Sequence, residues 1–212
     1  RDFVIDLRYN GGGLVSTAEL IDNLLGGDRT SLDTQYTIVH STSKSGQNST
    51  VRFQRQAESV RPVRIAFLTT AATASASEIN INAMHAWAEV AIVGSDTYGK
   101  PVGQLAFDLG NACTDRLRLV SFKTVNANGV GDYYDGLASS MTFACAAEDT
   151  LGAPMGDPAD GLTLAALQWI TTGACASVIS STVAGQAKTM PPGRYPLSRQ
   201  PSVVERWFPG VQ

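Results

Sequence analysis

The sequence predicts an α/β fold, and two stretches carry that prediction. In the first, Phe3-Val4-Ile5-Asp6-Leu7 reads as a buried strand and Arg8 to Gly13 as a glycine-rich turn. Thr17 to Leu25 then reads as a helix stopped by Gly26-Gly27. In the second, Val63 to Leu68 is an apolar strand, Thr73 to Ile79 a run of small residues, and Val90 to Val93 another strand. Between them Ile79, Ala83, Trp87 and Val90 recur at helical spacing. Two such strand–helix units imply parallel pairing with right-handed crossovers.

The remaining elements are set around these units. Residues 28–62 are polar, with strands at Tyr36–His40 and Ser49–Phe53 around a Ser/Lys/Gly/Asn turn, which reads as a hairpin excursion. Gln104–Phe107 and Arg116–Lys123 read as further strands. Residues 126–158 are rich in Gly, Asp and Ala and read as loop, and Leu162–Ile170 as a helix. The expected organisation is one core over residues 1–175 and an extended tail over 176–212, packed on the core or on a partner.

Composition narrows the function classes. A chain of 212 residues, 43% hydrophobic and 17% charged, is long enough for one full core. Its net charge of -3 and pI near 5.3 leave no basic footprint, which argues against a nucleic-acid partner. No apolar run is long enough to span a bilayer. The chain opens inside a strand-like segment without an initiator Met, as a fragment or processed piece would. Cys113, Cys145 and Cys175 fit no zinc spacing, so no metal or other cofactor is expected. One disulfide plus a free thiol, or three thiols, both remain open.

Three local features bear on chemistry. Ser75 stands at a strand-to-helix junction, where free backbone N–H groups and the positive end of the helix dipole meet. That placement suits a nucleophile, but Ser75 with Glu78 also fits a capping box. Gly11-Gly12-Gly13 turns backbone N–H groups toward a helix start, which suits an anion or simply a tight turn. Lys100 follows a buried strand inside the bend Tyr98-Gly99-Lys100-Pro101-Val102-Gly103-Gln104. A loop lysine is ordinarily a solvated charge. His40 and His85 are the only histidines, and His85 lies ten residues along the helix, roughly 15 Å from its start. Neither reaches Ser75 from within its own element; delivery of His40 by the fold stays open, but a lysine is the more economical base for a serine nucleophile here.

Taken together, these stretches resemble peptidase family S41, the C-terminal processing (tail-specific) proteases. Thr73-Ala74-Ser75-Ala76-Ser77-Glu78-Ile79 matches the family's nucleophile segment, and Lys100 follows Ser75 by 25 positions, as the family's base does. Gln104 stands where the family has a lysine-orienting glutamine. Asp6-Leu7-Arg8-Tyr9-Asn10-Gly11-Gly12-Gly13 matches its Asp-Leu-Arg-x-Asn-x-Gly-Gly motif. The resemblance is strong over about residues 3–105 and weak through Gly156-Asp157-Pro158 and the helix after it. It implies a crotonase/ClpP-like β-spiral with flanking helices and a serine endopeptidase acting on polypeptides. Ser75 would be nucleophile, Lys100 general base and Gln104 its orienting partner, with the Gly12 and Ala76 N–H groups as oxyanion hole.

The sequence departs from the family at two points. Gly11 replaces the usual Pro, and Pro101 replaces the usual Gly after the lysine, removing an N–H and holding Lys100 extended. The family usually carries an upstream PDZ domain and helical region, or an oligomer partner, and works outside the cytoplasm, in the bacterial periplasm or envelope or as a secreted protein. In that setting a Cys113–Cys145 disulfide with Cys175 free is expected. The competing reading is a non-catalytic peptide- or ligand-binding module built on the same core. An acyl-CoA enzyme of the same superfold fits less well, because Glu78 alone does not make the paired acid and base it needs.

Overall fold

A computed structural model describes residues 1–109, 115–150 and 152–180. Its centre is a parallel sheet of four strands in the order β1 (Asp2–Asp6), β4 (Arg64–Thr69), β5 (Glu89–Gly94) and β8 (Phe143–Ala146). Parallel strands covered on both faces need apolar side chains at successive positions, and β4 and β5 supply them. Ile65, Phe67, Val90 and Ile92 point to one face, against Leu25, Phe53, Ile81 and Met84. Ala66, Leu68, Ala91 and Val93 point to the other, against Leu162, Ala166 and Trp169. Helices α1 (Val15–Leu25) and α2 (Ala76–His85) thus cover one side and α3 (Gly161–Thr172) the opposite one.

A second sheet is antiparallel, in the order β3 (Ser49–Arg52), β2 (Thr34–His40), β7 (Asp115–Asn126) and β6 (Val102–Leu109). The expected hairpin over 28–62 forms, turning through a 3-10 segment at Thr42–Gln47. It is no isolated excursion, because β2 also pairs with β7 from Tyr36↔Asn126 to His40↔Phe122. The chain is therefore mixed α/β with two sheets.

Three sequence expectations shift. α2 ends at His85, and Val90, which shares its helical spacing, lies in β5. The Glu89 N–H is taken by the Val63 carbonyl and Val90 pairs with Ile65, so sheet pairing overrides the local period. β8 lies within the stretch read as loop; it is four residues long and exists by pairing with β5.

The third correction concerns the cysteines. Cys145 is bonded to Cys175, not to Cys113, which lies outside the described residues. β8 sits at the edge of the first sheet, and the chain leaving α3 returns along it. The Ala146 N–H donates to the Ser177 carbonyl, and the Ile179 N–H to that of Ala144. That return brings the Cys145 and Cys175 Cα atoms to 5.0 Å. β6 and β7, which flank Cys113 in sequence, belong to the other sheet. Of the tail expected over 176–212, only residues 176–180 are described, and they pack on this edge.

A bridge closing 30 residues is worth about 3–4 kcal/mol in the chain-entropy account. Reductant, or Cys175→Ser, is expected to lower the urea-unfolding free energy by about that amount. Cys145 and Cys175 should resist alkylation until reduced; ready alkylation of both in the unreduced protein would reject the pairing.

One buried acid sets a pH dependence. Asp22 of α1 is fully buried, with Oδ1 accepting the Asn80 amide at 2.8 Å and Oδ2 without a hydrogen-bond partner among the described residues. Burial pushes its carboxyl well up, opposed by the Asn80 hydrogen bond and reinforced by Glu19. Nearby, Glu19 accepts from the Tyr36 hydroxyl. The folded state therefore holds a proton that the unfolded chain releases near pH 4, and stability falls as pH rises above that point. Asp22→Asn should flatten this slope in melting temperatures measured from pH 4 to 9.

Candidate active site

The carboxyl ends of β1, β4 and β5 bring three loops to one place, and each carries part of the predicted site. After β4, Thr73 fixes the turn: its hydroxyl donates to the Leu7 carbonyl at 2.7 Å and accepts the Thr70 N–H at 3.0 Å. The chain then enters α2 through Ser75, at φ 57° and ψ -117°. A non-glycine residue there costs on the order of 1–3 kcal/mol and persists only where its surroundings hold it.

The holding group is Glu78, completely buried one turn into α2. Its Oε2 accepts the backbone N–H of Ser75 at 2.8 Å and of Lys100 at 2.8 Å. Its Oε1 accepts the Gly99 N–H at 2.7 Å and the Thr97 hydroxyl at 2.7 Å. One carboxylate thus binds the strained serine and the lysine bend to the same point. A further backbone bond, from the Tyr98 N–H to the Thr73 carbonyl at 2.9 Å, ties the two loops again. Glu78 thus forms the backbone half of the capping box. The Ser77 hydroxyl donates to the carbonyl and side-chain oxygens of Asn10, each at 3.0 Å.

The glycine turn after β1 packs directly on this junction. A Cβ on Gly12, at φ 95°, would lie 2.7 Å from the Ala74 carbonyl oxygen, 2.7 Å from the Ala76 nitrogen and 2.9 Å from the Ser75 Cβ. Only glycine allows that approach. The structure therefore brings together Gly12, Ser75 and Ala76, and links the Lys100 backbone to them through Glu78. The Ala76 N–H makes no hydrogen bond among the described residues. The Gly12 N–H donates to Asn10 Oδ1 at 3.0 Å.

Lys100 is half-buried. The Pro101 that follows it is buried, and its carbonyl accepts the Thr124 N–H at 2.9 Å, anchoring the bend to β7. Gln104 stands on β6 just past a bulge, opposite Val120, with an exposed side chain that forms no hydrogen bond among the described residues. Beside Gly12 and Ala76 opens a cavity of about 230 Å³, walled by Leu7, Leu14 and Ile21, with Asn80 at its edge.

With this geometry in view, the comparisons are specific. The model of peptidase family S41 matches residues 1–132. The chain belongs to peptidase family S41. A curated relative, the carboxy-terminal processing protease CtpA of Bacillus subtilis (strain 168), is 26% identical over 130 residues, covering 61% of this chain and 26% of the relative. A solved structure described as an S41 protease from Bacteroides fragilis NCTC 9343 aligns with a TM-score of 0.67 at 25% identity, over 82% of this chain and 45% of that one. The photosystem II D1 C-terminal processing protease aligns with a TM-score of 0.50 at 24% identity, over 64% and 32%. The chain thus spans about a quarter of the curated relative and less than half of the first solved structure.

Within this S41 chain the histidines stand elsewhere. His40 Nδ1 lies 2.9 Å from the Ser121 carbonyl, between β2 and β7. His85 closes α2 with Nε2 3.5 Å from the Thr142 hydroxyl, and burial pushes its imidazole pKa down. The sequence reading missed two groups around the S41 motifs. Glu78 showed only as a cap, because its other three partners come from 19 to 22 positions away. Arg8, in the Asp-Leu-Arg motif, binds Asp6 at 2.8 Å, Asp149 at 3.1 Å and Asp160 at 2.9 Å. Asp160 caps α3; burial opposes its ionisation, but hydrogen bonds from Thr163 and Arg8 hold its carboxyl below the usual range.

Glu78→Gln keeps the side-chain shape but halves its acceptors and turns an amide donor toward N–H groups. We expect it to cost about 2–4 kcal/mol of stability. Any peptidase activity should fall by about 100-fold or more even where circular dichroism shows the variant folded. Full activity in a folded Glu78→Gln variant would show that the link between the two loops is dispensable.

Proposed function

We propose that the chain is the catalytic core of a serine endopeptidase, with Ser75 as nucleophile and Lys100 as general base. The observation that carries this reading is Ser75 itself: a strained residue at a helix start, tied by one buried carboxylate to the segment bearing Lys100. In the first step Ser75 Oγ attacks the scissile carbonyl carbon and its proton passes to a neutral Lys100 Nζ. As the tetrahedral intermediate collapses, the C–N bond breaks and Lys100 returns the proton to the leaving amine. Water, activated by the same amine, then hydrolyses the acyl-serine.

The oxyanion would be bound by the Ala76 and Gly12 N–H groups, each worth about 3–4 kcal/mol in the transition state. In the resting chain the Gly12 N–H is donated to Asn10 Oδ1, and the developing oxyanion would compete for it. Gln104, neutral and four residues past the lysine, would orient the Lys100 amine without restoring the charge that a carboxylate favours. The cavity beside Gly12 and Ala76 suits the substrate side chain preceding the cut, and its aliphatic wall favours small apolar residues there.

The substrate would be polypeptide processed or degraded outside the cytoplasm. The Cys145–Cys175 bond supports that compartment, since disulfides persist where the surroundings are oxidising. The bacterial relative is a carboxy-terminal processing protease, and an envelope-associated setting follows from the family resemblance. A β-spiral core, and a PDZ or helical region or an oligomer partner to gate it, follow from the family resemblance.

Ser75→Ala and Lys100→Ala are each expected to lower peptide hydrolysis by about 1,000-fold or more, with substrate binding retained. A serine-reactive phosphonate should label Ser75 in the wild type only. Undiminished hydrolysis by Ser75→Ala would refute the reading, and binding without labelling or turnover would favour the non-catalytic module.

A further inference from the structure

The ribbon of β6 and β7 carries apolar surface that no element among the described residues covers. The antiparallel register sets Leu105 against Leu119 and Phe107 against Leu117, and the two-residue period puts all four, with Leu109, on one face. These five side chains are between 41 and 50% exposed. The opposite face carries Ala106 against Arg118 and the exposed Asp108–Arg116 ion pair. A two-stranded ribbon with a bare apolar face is marginal in water until something covers it. β6 is also the last strand of its sheet, so among the described residues no strand pairs with its outer edge.

Position suggests what covers it. β6 begins at Val102, two residues past Lys100, and the bend between them is pinned to β7 by the Pro101–Thr124 bond. The ribbon is thus the direct extension of the loop bearing the candidate base. Its eight residues span roughly 25 Å at about 3.3 Å per residue, enough to hold seven or eight residues of an added strand. An edge of this kind recognises a chain by main-chain hydrogen bonds and by alternate side chains. Folded proteins hide both, whereas an unfolded, apolar-rich polypeptide offers both at once.

We propose that the outer edge and apolar face of the β6–β7 ribbon dock an extended, apolar-rich segment of the polypeptide undergoing cleavage, as an added strand leading to Ser75. The proposal rests on the peptidase reading of the same site. It makes the ribbon a selector for unfolded chains, reached by long substrates and beyond the reach of short ones.

The test pairs the double variant Phe107→Ser/Leu119→Ser with two substrates: a reduced, carboxymethylated protein and a five-residue peptide containing one of its cleavage sites. The variant should raise KM for the unfolded protein by about tenfold or more, and leave the short peptide within about twofold. Equal losses on both substrates would mean that the face merely supports the fold, and no loss on either would remove the ribbon from recognition. A dimer of the wild type that the variant turns into monomer, with unchanged rates, would assign the face to a second copy. Hydrogen exchange on the Ser75→Ala protein, whose ribbon is unaltered, gives an independent measure: the unfolded protein should add protection at residues 104–109. Absence of added protection overturns the proposal even if Ser75 is the nucleophile, and added protection sustains the docking even if hydrolysis is never seen.

Discussion

The candidate site depends on a single buried carboxylate. Glu78 is fully buried and accepts four hydrogen bonds, one from the serine turn and three from the lysine bend. Charge-assisted bonds of this kind are stronger than neutral ones, and a buried charge survives only when its acceptors are filled. The consequence is geometric. Ser75 and Lys100 sit on loops after different strands, yet their backbones meet on one oxygen atom, so neither loop moves without the other.

The sheet beneath explains why those loops meet. β1, β4 and β5 are parallel neighbours, so their carboxyl ends emerge side by side, which is where open parallel sheets place their sites. α3 braces the far face at both ends. Its N-cap Asp160 is held by Arg8, just before the glycine turn, and past its C-terminus Cys175 is bonded to Cys145 on β8. The glycine turn is thus anchored from below by an ion cluster and from the side by α2. The Arg8 contacts with Asp149 and Asp160 join positions 141 and 152 residues apart, and neither is visible from local spacing.

That distance separates what the sequence showed from what it hid. Strands β1, β4 and β5 and helices α1 and α3 are legible because their apolar residues cluster or alternate with burial on two faces. β8 is not, because Phe143-Ala144-Cys145-Ala146 has no pattern of its own and becomes a strand only beside β5. The disulfide was misread for the same reason: Cys145 lies on that unseen strand, and its real partner follows a helix on the far side of the sheet. Ser75, Lys100, Gly12 and Ala76 were named from motif order. Which groups hold them was not, because Glu78 reads as an ordinary cap until the lysine bend folds over it.

The Gly12 contact shows how strain and binding capacity arise together. Ser75 occupies a backbone region that L-residues avoid, at an expense of about 1–3 kcal/mol. At this junction the Ala76 N–H makes no hydrogen bond among the described residues. Gly12 packs so closely against Ala74, Ser75 and Ala76 that any side chain would displace the turn. The same absence of a Cβ sets two candidate donors next to each other, while Asn10 ties both loops by accepting the Ala74 N–H, the Gly12 N–H and the Ser77 hydroxyl. A relaxed serine, or a turn with a side chain at Gly12, would separate those donors. The strained serine and the bare glycine are thus two sides of one close contact between the β1 and β4 loops.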